Sequence, residues 1–191
     1  MKPQKRPSLI IVVGPSGVGK SSFVDRITKE MPLLFDTVTY TTRAMRKGES
    51  EGIPYHFVTE ERFKELLSQG FFIEHAIVHG RMYGTPKHQI DDAIAAGRVV
   101  IMDVDVQGAR SFKSIYTDAF AIFIHPPSID ELRQRVILRD GKALPDLETR
   151  MANAQKEIKV AHEFDTQMVN DDFDRSYAEF KKIIEARLNL V

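Results

Sequence analysis

Short runs of largely apolar residues recur along the chain, and each has the length of a β-strand. Their apolar positions follow one another instead of alternating with polar ones, which is typical of strands covered on both faces. We predict four such strands of one covered sheet, at residues 9–13, 71–78, 98–104 and 119–125.

Between and after these runs, apolar residues recur at the three- and four-residue spacing of a helix face. The predicted helices contain the sets Phe63, Leu66 and Leu67; Ile90, Ala93 and Ile94; Ile129, Leu132 and Val136; residues 151–161; and Tyr177, Phe180, Ile183, Ile184 and Leu188. Strands separated by helices predict an α/β fold, with a mostly parallel sheet and helices on both of its faces. In such folds ligands bind beyond the carboxyl ends of the strands.

Two polar segments fit this alternation less easily. Residues 36–57 are rich in threonine, tyrosine and charge, and residues 139–150 are polar and interrupted by Gly141 and Pro145. Polar insertions beside such a sheet are candidates for substrate-binding regions or moving lids.

Composition narrows the class of protein without naming a function. A chain of 191 residues favours a single domain. Its 27 basic residues balance 27 acidic ones, so we expect neither a nucleic acid nor a membrane as partner. No run approaches the ~20 apolar residues of a membrane span, and the first run is too short for a signal peptide. The absence of cysteine fits a reducing compartment, and we expect a cytoplasmic protein whose oligomeric state is left open.

A glycine-rich motif directly follows the first predicted strand, with the pattern G-x-x-x-x-G-K-[ST]. Its glycines let successive backbone N–H groups turn toward a di- or triphosphate, while Lys20 reaches the β- and γ-phosphates and Ser21 can ligate Mg²⁺. The pattern therefore predicts a nucleotide-binding enzyme. The predicted contacts are Gly14, Pro15, Ser16, Gly17, Val18, Gly19, Lys20, Ser21 and the adjoining Ser22.

Further motifs follow in a fixed order, and they resemble those of guanylate kinases across nearly the whole chain. They comprise residues 39–46 and 48–49, Tyr55, and residues 73–76, 83–85 and 103–108. The resemblance implies a P-loop nucleotide kinase of purine metabolism that transfers the γ-phosphoryl group of ATP to GMP, and to dGMP as well, with Mg²⁺. It also implies a core at residues 8–35, 86–125 and 166–191, a GMP-binding insertion at 36–85 and a helical lid at 126–165.

The same resemblance assigns the acceptor site. Guanidinium forks and neutral hydroxyls suit a dianionic phosphate. The residues assigned to the GMP phosphate are Arg43, Arg46, Tyr55 and Tyr83. Glu74 is assigned to guanine, whose two neighbouring N–H groups can donate to one carboxylate, with Thr39 and Thr85 beside the base. Adenine lacks that pair of donors, so such a site should reject it.

Asp103 lies at the end of the 98–104 run, and Asp105 comes directly after the run. Asp103 lies where phosphate-loop enzymes place a carboxylate that organises Mg²⁺, so Ser21 and Asp103 are the predicted metal residues. Asp105 would point to the same side if the strand continued. The resemblance places both aspartates between the acceptor and the metal and does not divide their roles.

Catalysis is expected to rest on alignment and charge neutralisation, because the attacking phosphate oxygen is already an anion. By position, three arginines match the lid and adjoining arginines of the family. The expected catalytic set is Lys20, Arg43, Arg135, Arg139 and Arg150. The family commonly has glycines around the central lid arginine, whereas Arg139 lies here in the sequence Val-Ile-Leu-Arg-Asp-Gly. Asn170 matches a segment near the adenine of ATP.

Several alternatives stay open on the sequence alone. A related kinase could act on another acceptor, such as a ribose bisphosphate, and domains of this kind also serve as protein-binding scaffolds. Glu74 could instead form a structural salt bridge, and the tyrosines could fill the core. The lid arginines could belong to a solvated helix face.

Overall fold

The computed structural model describes residues 6–46, 48–78, 80–140 and 146–189. Gly141 and Pro145, which interrupt the second polar segment, lie outside the described residues.

Nine strands and seven α-helices are formed by the described residues. The strands are β1 (Leu9–Val13), β2 (Leu34–Asp36), β3 (Thr39–Thr41), β4 (Tyr55–Phe57), β5 (Phe72–Val78), β6 (Arg81–Pro86), β7 (Val99–Val104), β8 (Phe120–His125) and β9 (Thr166–Val169). The helices are α1 (Lys20–Glu30), α2 (Glu60–Ser68), α3 (Lys87–Ala95), α4 (Val106–Ile115), α5 (Ile129–Asp140), α6 (Leu147–Lys159) and α7 (Phe173–Arg187).

The larger sheet has the strand order β2-β7-β1-β8-β9, and its described neighbours pair in parallel. Its central strand β1 is fully buried. Side chains on one face of β1 pack with α1, α5, α6 and α7, and those on the other pack with α3 and α4. Because successive side chains of a strand point to opposite faces, the apolar run of β1 supplies both cores. The predicted α/β class, with helices on both faces, is confirmed.

Parallel register decides which residues meet at the carboxyl edge of this sheet. Val12 lies beside Asp103 of β7, and Val13 lies beside Phe123 of β8. The glycine-rich motif follows Val13, so it leaves the sheet next to Asp103, at the edge where ligands are expected.

The prediction that residues 71–78 belong to the covered sheet is wrong. That run forms β5, an edge strand of a second sheet with the order β4-β3-β6-β5. β5 pairs antiparallel with β6, the strand that follows it, and part of β5 is exposed. An apolar run indicates a strand but not its partner, and the short connection to β6 favours a hairpin.

The helices agree with the predicted sets, with shifted ends. α6 begins at Leu147 and ends at Lys159, so the predicted 151–161 helix starts one turn earlier, and residues 161–163 form a short 3₁₀-helix. α5 continues through Asp140. The described part of the second polar segment is therefore largely helical.

Two leucines of α5 offer a matched test of this packing. Leu132 is fully buried, whereas Leu138 is 86% exposed. We expect Leu132→Ala to lower the free energy of unfolding by about 2–5 kcal/mol, because it leaves a cavity in the core. Leu138→Ala should change that free energy by less than about 0.5 kcal/mol. Denaturant unfolding of both variants checks this, and equal losses would contradict the described orientation of α5.

Candidate active site

The glycine-rich loop of residues 14–19 has a backbone that only glycine adopts readily. Gly14 and Gly19 have φ angles of 147° and 105°. A Cβ atom on Gly14 would lie 2.4 Å from the carbonyl oxygen of Ile124, and one on Gly19 would lie 2.7 Å from Nδ2 of Asn170. Gly19 leads into α1 with no side-chain cap. Backbone N–H groups at this helix end are thus suited to an anion.

Lys20 lies at the first position of α1, with its ammonium group folded back over the loop. Its Nζ donates to the carbonyl oxygens of Gly14, at 2.6 Å, and Pro15, at 3.2 Å. The lysine is therefore held above the loop where the sequence predicts a polyphosphate.

Ser21 and Asp103 meet at the carboxyl edge of the larger sheet. Ser21 Oγ donates to Asp103 Oδ2 at 2.9 Å. A hydroxyl and a carboxylate are hard oxygen ligands, and Mg²⁺ typically takes only one or two protein ligands beside water and phosphate oxygens. This pair fits Mg²⁺ by that measure. Within the described ranges no cluster of three or more acidic, histidine or cysteine side chains forms a further candidate metal site.

One cleft joins this edge to the second sheet. Its lining includes Ser21 and Asp103 from the larger sheet side and Thr39 and Tyr55 from β3 and β4. The structure thus brings predicted metal residues and predicted acceptor residues to a single opening.

Strand pairing gathers the predicted acceptor residues in the second sheet. Thr39 lies beside Tyr55, and Glu74 lies opposite Thr85. The rings of Tyr55 and Tyr83 are 6.0 Å apart. Burial raises the pKa of Tyr55, so its hydroxyl stays protonated and able to donate.

Glu74 forms no ion pair with any described residue. Burial, followed by the charge of Asp105, raises its pKa to about 7. A partly buried carboxylate without a described protein cation argues against the structural salt bridge and suits a ligand that brings N–H donors.

Arg43 and Arg46 are both held by Glu49, a residue that the sequence did not single out as functional. The guanidinium group of Arg43 donates to both carboxylate oxygens of Glu49, at 3.0 and 2.8 Å. The backbone N–H of Arg46 donates to Glu49 at 2.7 Å. Arg43 also lies over the ring of Tyr55, 5.3 Å from its centroid. The Gly-Glu motif at 48–49 was the available signal, because a carboxylate between two arginines is suited to hold them in place.

The three lid arginines divide into two environments. Arg139 and Arg150 converge on Asp140, together with Arg46 of the insertion. Arg139 also reaches Ser16 of the glycine-rich loop, with Nη2 3.4 Å from its Oγ. Arg135 instead donates to the carbonyl oxygens of Asn170 and Asp171. The structure therefore brings Arg139 and Arg150, but not Arg135, close to Arg46, which is predicted to bind the acceptor.

Asn170 and Asp105 have structural partners. Asn170 is 4% exposed, and its Nδ2 donates to the carbonyl oxygen of Val18 at 2.8 Å, which ties the loop to the end of β9. Its predicted contact with adenine stays a prediction. The strand does not continue to Asp105: β7 ends at Val104, and Asp105 caps α4 by accepting from the N–H of Gly108. Capping is a common use of aspartate at a helix start.

Sequence reasoning also missed two partly buried carboxylates, Glu157 and Asp36. Glu157 of α6 lies close enough to Lys20 for their charges to interact, while burial raises its pKa. Its position three residues after buried Ala154 was a signal, because it puts a charge on the buried helix face. Asp36 lines the cleft, and burial together with the charge of Asp103 raises its pKa to about 8.

The fold and the site together define a class of protein. A mostly parallel sheet with a glycine-rich loop after its central strand, and a second region rich in cations across a cleft, is the arrangement of an α/β nucleotide kinase.

Comparison with known proteins identifies the family within this class. The family model described as guanylate kinase matches residues 6–187. A guanylate kinase of Bdellovibrio bacteriovorus is 54% identical over 177 residues, which cover 93% of this chain and 96% of the relative. One of Nitratidesulfovibrio vulgaris is 42% identical, covering 93% and 86%. The crystal structure of guanylate kinase from Anaplasma phagocytophilum superposes with a TM-score of 0.78 at 32% identity, covering 96% and 87%.

The chain therefore belongs to the guanylate kinase family, as the motifs predicted. This family phosphorylates GMP to GDP with ATP as the phosphate donor. Family membership favours the enzyme over the scaffold alternative and GMP over a ribose bisphosphate. None of the described helices has the length and apolarity needed to cross a membrane.

The raised pKa of Glu74 predicts how stability depends on pH. Between its ordinary value of 4.5 and about 7, the folded state holds a proton that the unfolded state has released. Stability contributed by this group therefore falls as pH rises through that window. We expect Glu74→Gln to be more stable than the wild type at about pH 8, by ~2–3 kcal/mol, with the gap closing toward about pH 5.

Denaturant unfolding at the two pH values measures this gap. Glu179→Gln, at an exposed carboxylate of α7, is the matched control and should show no comparable gap. A stability difference for Glu74→Gln that is independent of pH would contradict the described environment of Glu74.

Proposed function

We propose that this chain transfers the γ-phosphoryl group of ATP to GMP and dGMP, with Mg²⁺, across the cleft between the two sheets. The observation that carries the assignment of residues is the shared lining of that cleft by Ser21, Asp103, Thr39 and Tyr55. Donor and acceptor residues that lie apart in sequence open onto one space. A cytoplasmic location is part of the proposal.

On the donor side, the loop of residues 14–19 and the start of α1 bind the phosphates of ATP. Lys20, whose Nζ donates to loop carbonyl oxygens, exchanges these contacts for phosphate oxygens when ATP binds. Ser21 and Asp103 would hold Mg²⁺, which would neutralise charge on the phosphates when bound. Asn170 stabilises the loop through its hydrogen bond to the carbonyl oxygen of Val18, and it lies on the adenine side of the site.

On the acceptor side, Glu74 accepts two hydrogen bonds from guanine, while Thr39 and Thr85 lie beside the base. Arg43, Arg46, Tyr55 and Tyr83 bind the phosphate of GMP. Adenine would bring the N1 acceptor and a C–H group to Glu74 in place of two N–H donors. The partly buried carboxylate would be left unpaired, which costs binding free energy. No general base is required, because the attacking oxygen of GMP is an anion near neutral pH.

Arg139 and Arg150 act on the migrating phosphoryl group. Arg139 already contacts the glycine-rich loop, and Arg150 lies beside it on Asp140. Alignment of the two phosphates and neutralisation of their charge account for catalysis, and closure of the lid excludes water that would otherwise accept the phosphoryl group.

A coupled assay across acceptors tests the proposed function. With MgATP, we expect the wild type to turn over GMP and dGMP, with kcat/KM for AMP, CMP and UMP lower by about 10³-fold or more. In Glu74→Ala, KM for GMP should rise by roughly 10- to 100-fold and the preference for GMP over AMP should shrink.

Glu61→Ala, at an exposed glutamate of α2, is the control and should leave selectivity unchanged. Equal or absent turnover of GMP relative to the other nucleotides would refute the function. Unchanged selectivity in Glu74→Ala would remove only the base-reading role of Glu74.

A second variant tests the donor side. Lys20→Ala should lower kcat by about 10²–10³-fold, because a positioned cation is lost from the migrating charge. Lys64→Ala, at an exposed lysine of α2, should retain wild-type kcat. Circular dichroism shows whether each variant keeps its fold, and a folded Lys20→Ala enzyme of normal kcat would contradict the assignment.

A further inference from the structure

Asp140 is a buried carboxylate at the meeting point of three arginines. Its side chain is only 6% exposed, although it is the last residue of α5. The carboxyl end of a helix disfavours a negative charge, so the helix itself does not explain an aspartate there. The surrounding cations do, since Arg46, Arg139 and Arg150 all contact this one carboxylate.

These contacts connect two regions that are distant in sequence. Arg139 Nε lies 3.0 Å from Oδ1 and its Nη2 lies 2.8 Å from Oδ2 of Asp140. Arg46, from the insertion, places Nε 3.2 Å from Oδ1 and Nη2 3.3 Å from Oδ2. Arg150, from α6, donates through Nη1 at 2.9 Å. One carboxylate thus joins the acceptor region to both lid helices.

Asp140 occupies only part of each guanidinium group. An arginine side chain has five N–H donors. In the described part of the chain, Nη1 of Arg46 and of Arg139, and Nη2 of Arg150, donate to no protein atom. Arg46 and Arg139 are each held along the Nε–Nη2 edge. Arg150 instead donates from Nε to Asp146 and from Nη1 to Asp140. The remaining Nη groups are the donors that a phosphate can engage.

Without Asp140 the three cations would repel one another. The environment of Arg46 already shows this repulsion: its pKa is lowered by burial and by the charges of Arg139 and Arg43, while Asp140 opposes that effect. Close approach of like charges at partly buried positions is unfavourable unless an anion lies between them. The carboxylate is thus the group that lets Arg46, Arg139 and Arg150 lie close together.

We propose that Asp140 is a positioning residue that couples occupation of the GMP site to placement of the lid arginines. The inference rests on the proposed function, because it takes Arg46 to bind the GMP phosphate and Arg139 and Arg150 to reach the migrating group. A GMP phosphate that binds Nη1 of Arg46 fixes the position of Asp140. Asp140 in turn fixes the positions of Arg139 and Arg150.

Calorimetric titration tests the coupling directly. GMP is titrated into the full-length protein with and without a non-hydrolysable ATP analogue and Mg²⁺, and the ratio of the two Kd values is the coupling. The variants are Asp140→Asn, which keeps the shape and loses the charge, Asp140→Gly, and the conservative Asp140→Glu. Glu148→Gln removes a different lid carboxylate, one paired with Arg133, and is the matched control.

We expect the analogue to tighten GMP binding by about fivefold or more in the wild type and in Glu148→Gln. In Asp140→Asn and Asp140→Gly the ratio should fall close to one, and Asp140→Glu should restore part of it. Thermal unfolding of each variant separates this effect from a loss of lid stability, which would lower the melting temperature without changing the ratio.

Other outcomes overturn the inference. An unchanged ratio in folded Asp140→Asn would show that Asp140 does not couple the sites. Tighter GMP binding in that variant without the analogue would identify Asp140 as a competitor of phosphate instead. A wild type that binds GMP without any coupling would also refute the inference, whereas a wild type that binds no GMP would refute the proposed function itself.

Discussion

The close approach of the glycine-rich loop to neighbouring backbone is the constraint on which the site depends. Gly14 lies against the carbonyl oxygen of Ile124, and Gly19 lies against the side chain of Asn170. Both contacts leave no room for a Cβ atom, so the loop can turn back over the sheet only with glycine there. Parallel register then sets Asp103 beside the strand that leads into the loop, and Ser21 reaches it from α1. The donor site follows from these placements.

Ion pairs and hydrogen bonds hold the cationic side chains of the site in place. Glu49 holds Arg43, Asp140 holds Arg46 and two lid arginines, and loop carbonyl oxygens hold Lys20. Each of these cations has a protein partner, which offsets part of the free energy that its partial burial costs. Glu74 differs from these residues, because no described cation pairs with its carboxylate and its pKa is raised. This contrast suits the proposed site, in which arginines bind phosphates and a carboxylate recognises a base.

Sequence reasoning predicted the features that local pattern determines. The strands at 9–13, 98–104 and 119–125, the loop, and the family all follow from runs and motifs. It placed residues 71–78 in the wrong sheet, because hydrophobicity indicates a strand without naming its neighbour. Contacts between residues that are remote in sequence could not be predicted from local pattern. Arg46 and Asp140 are 94 positions apart, and only the folded chain brings them together. The end of β7 at Val104 was decided by the capping of α4.

Direct transfer requires that one cleft hold a phosphate donor and a guanine nucleotide acceptor at the same time. A compound that joins adenosine to guanosine through a chain of phosphates, titrated calorimetrically in the presence of Mg²⁺, tests this most directly. The account predicts one bound molecule per chain, with an affinity above that of ATP or GMP alone, and displacement by either nucleotide. Binding no tighter than that of ATP, or displacement by only one of the two nucleotides, would contradict a shared cleft.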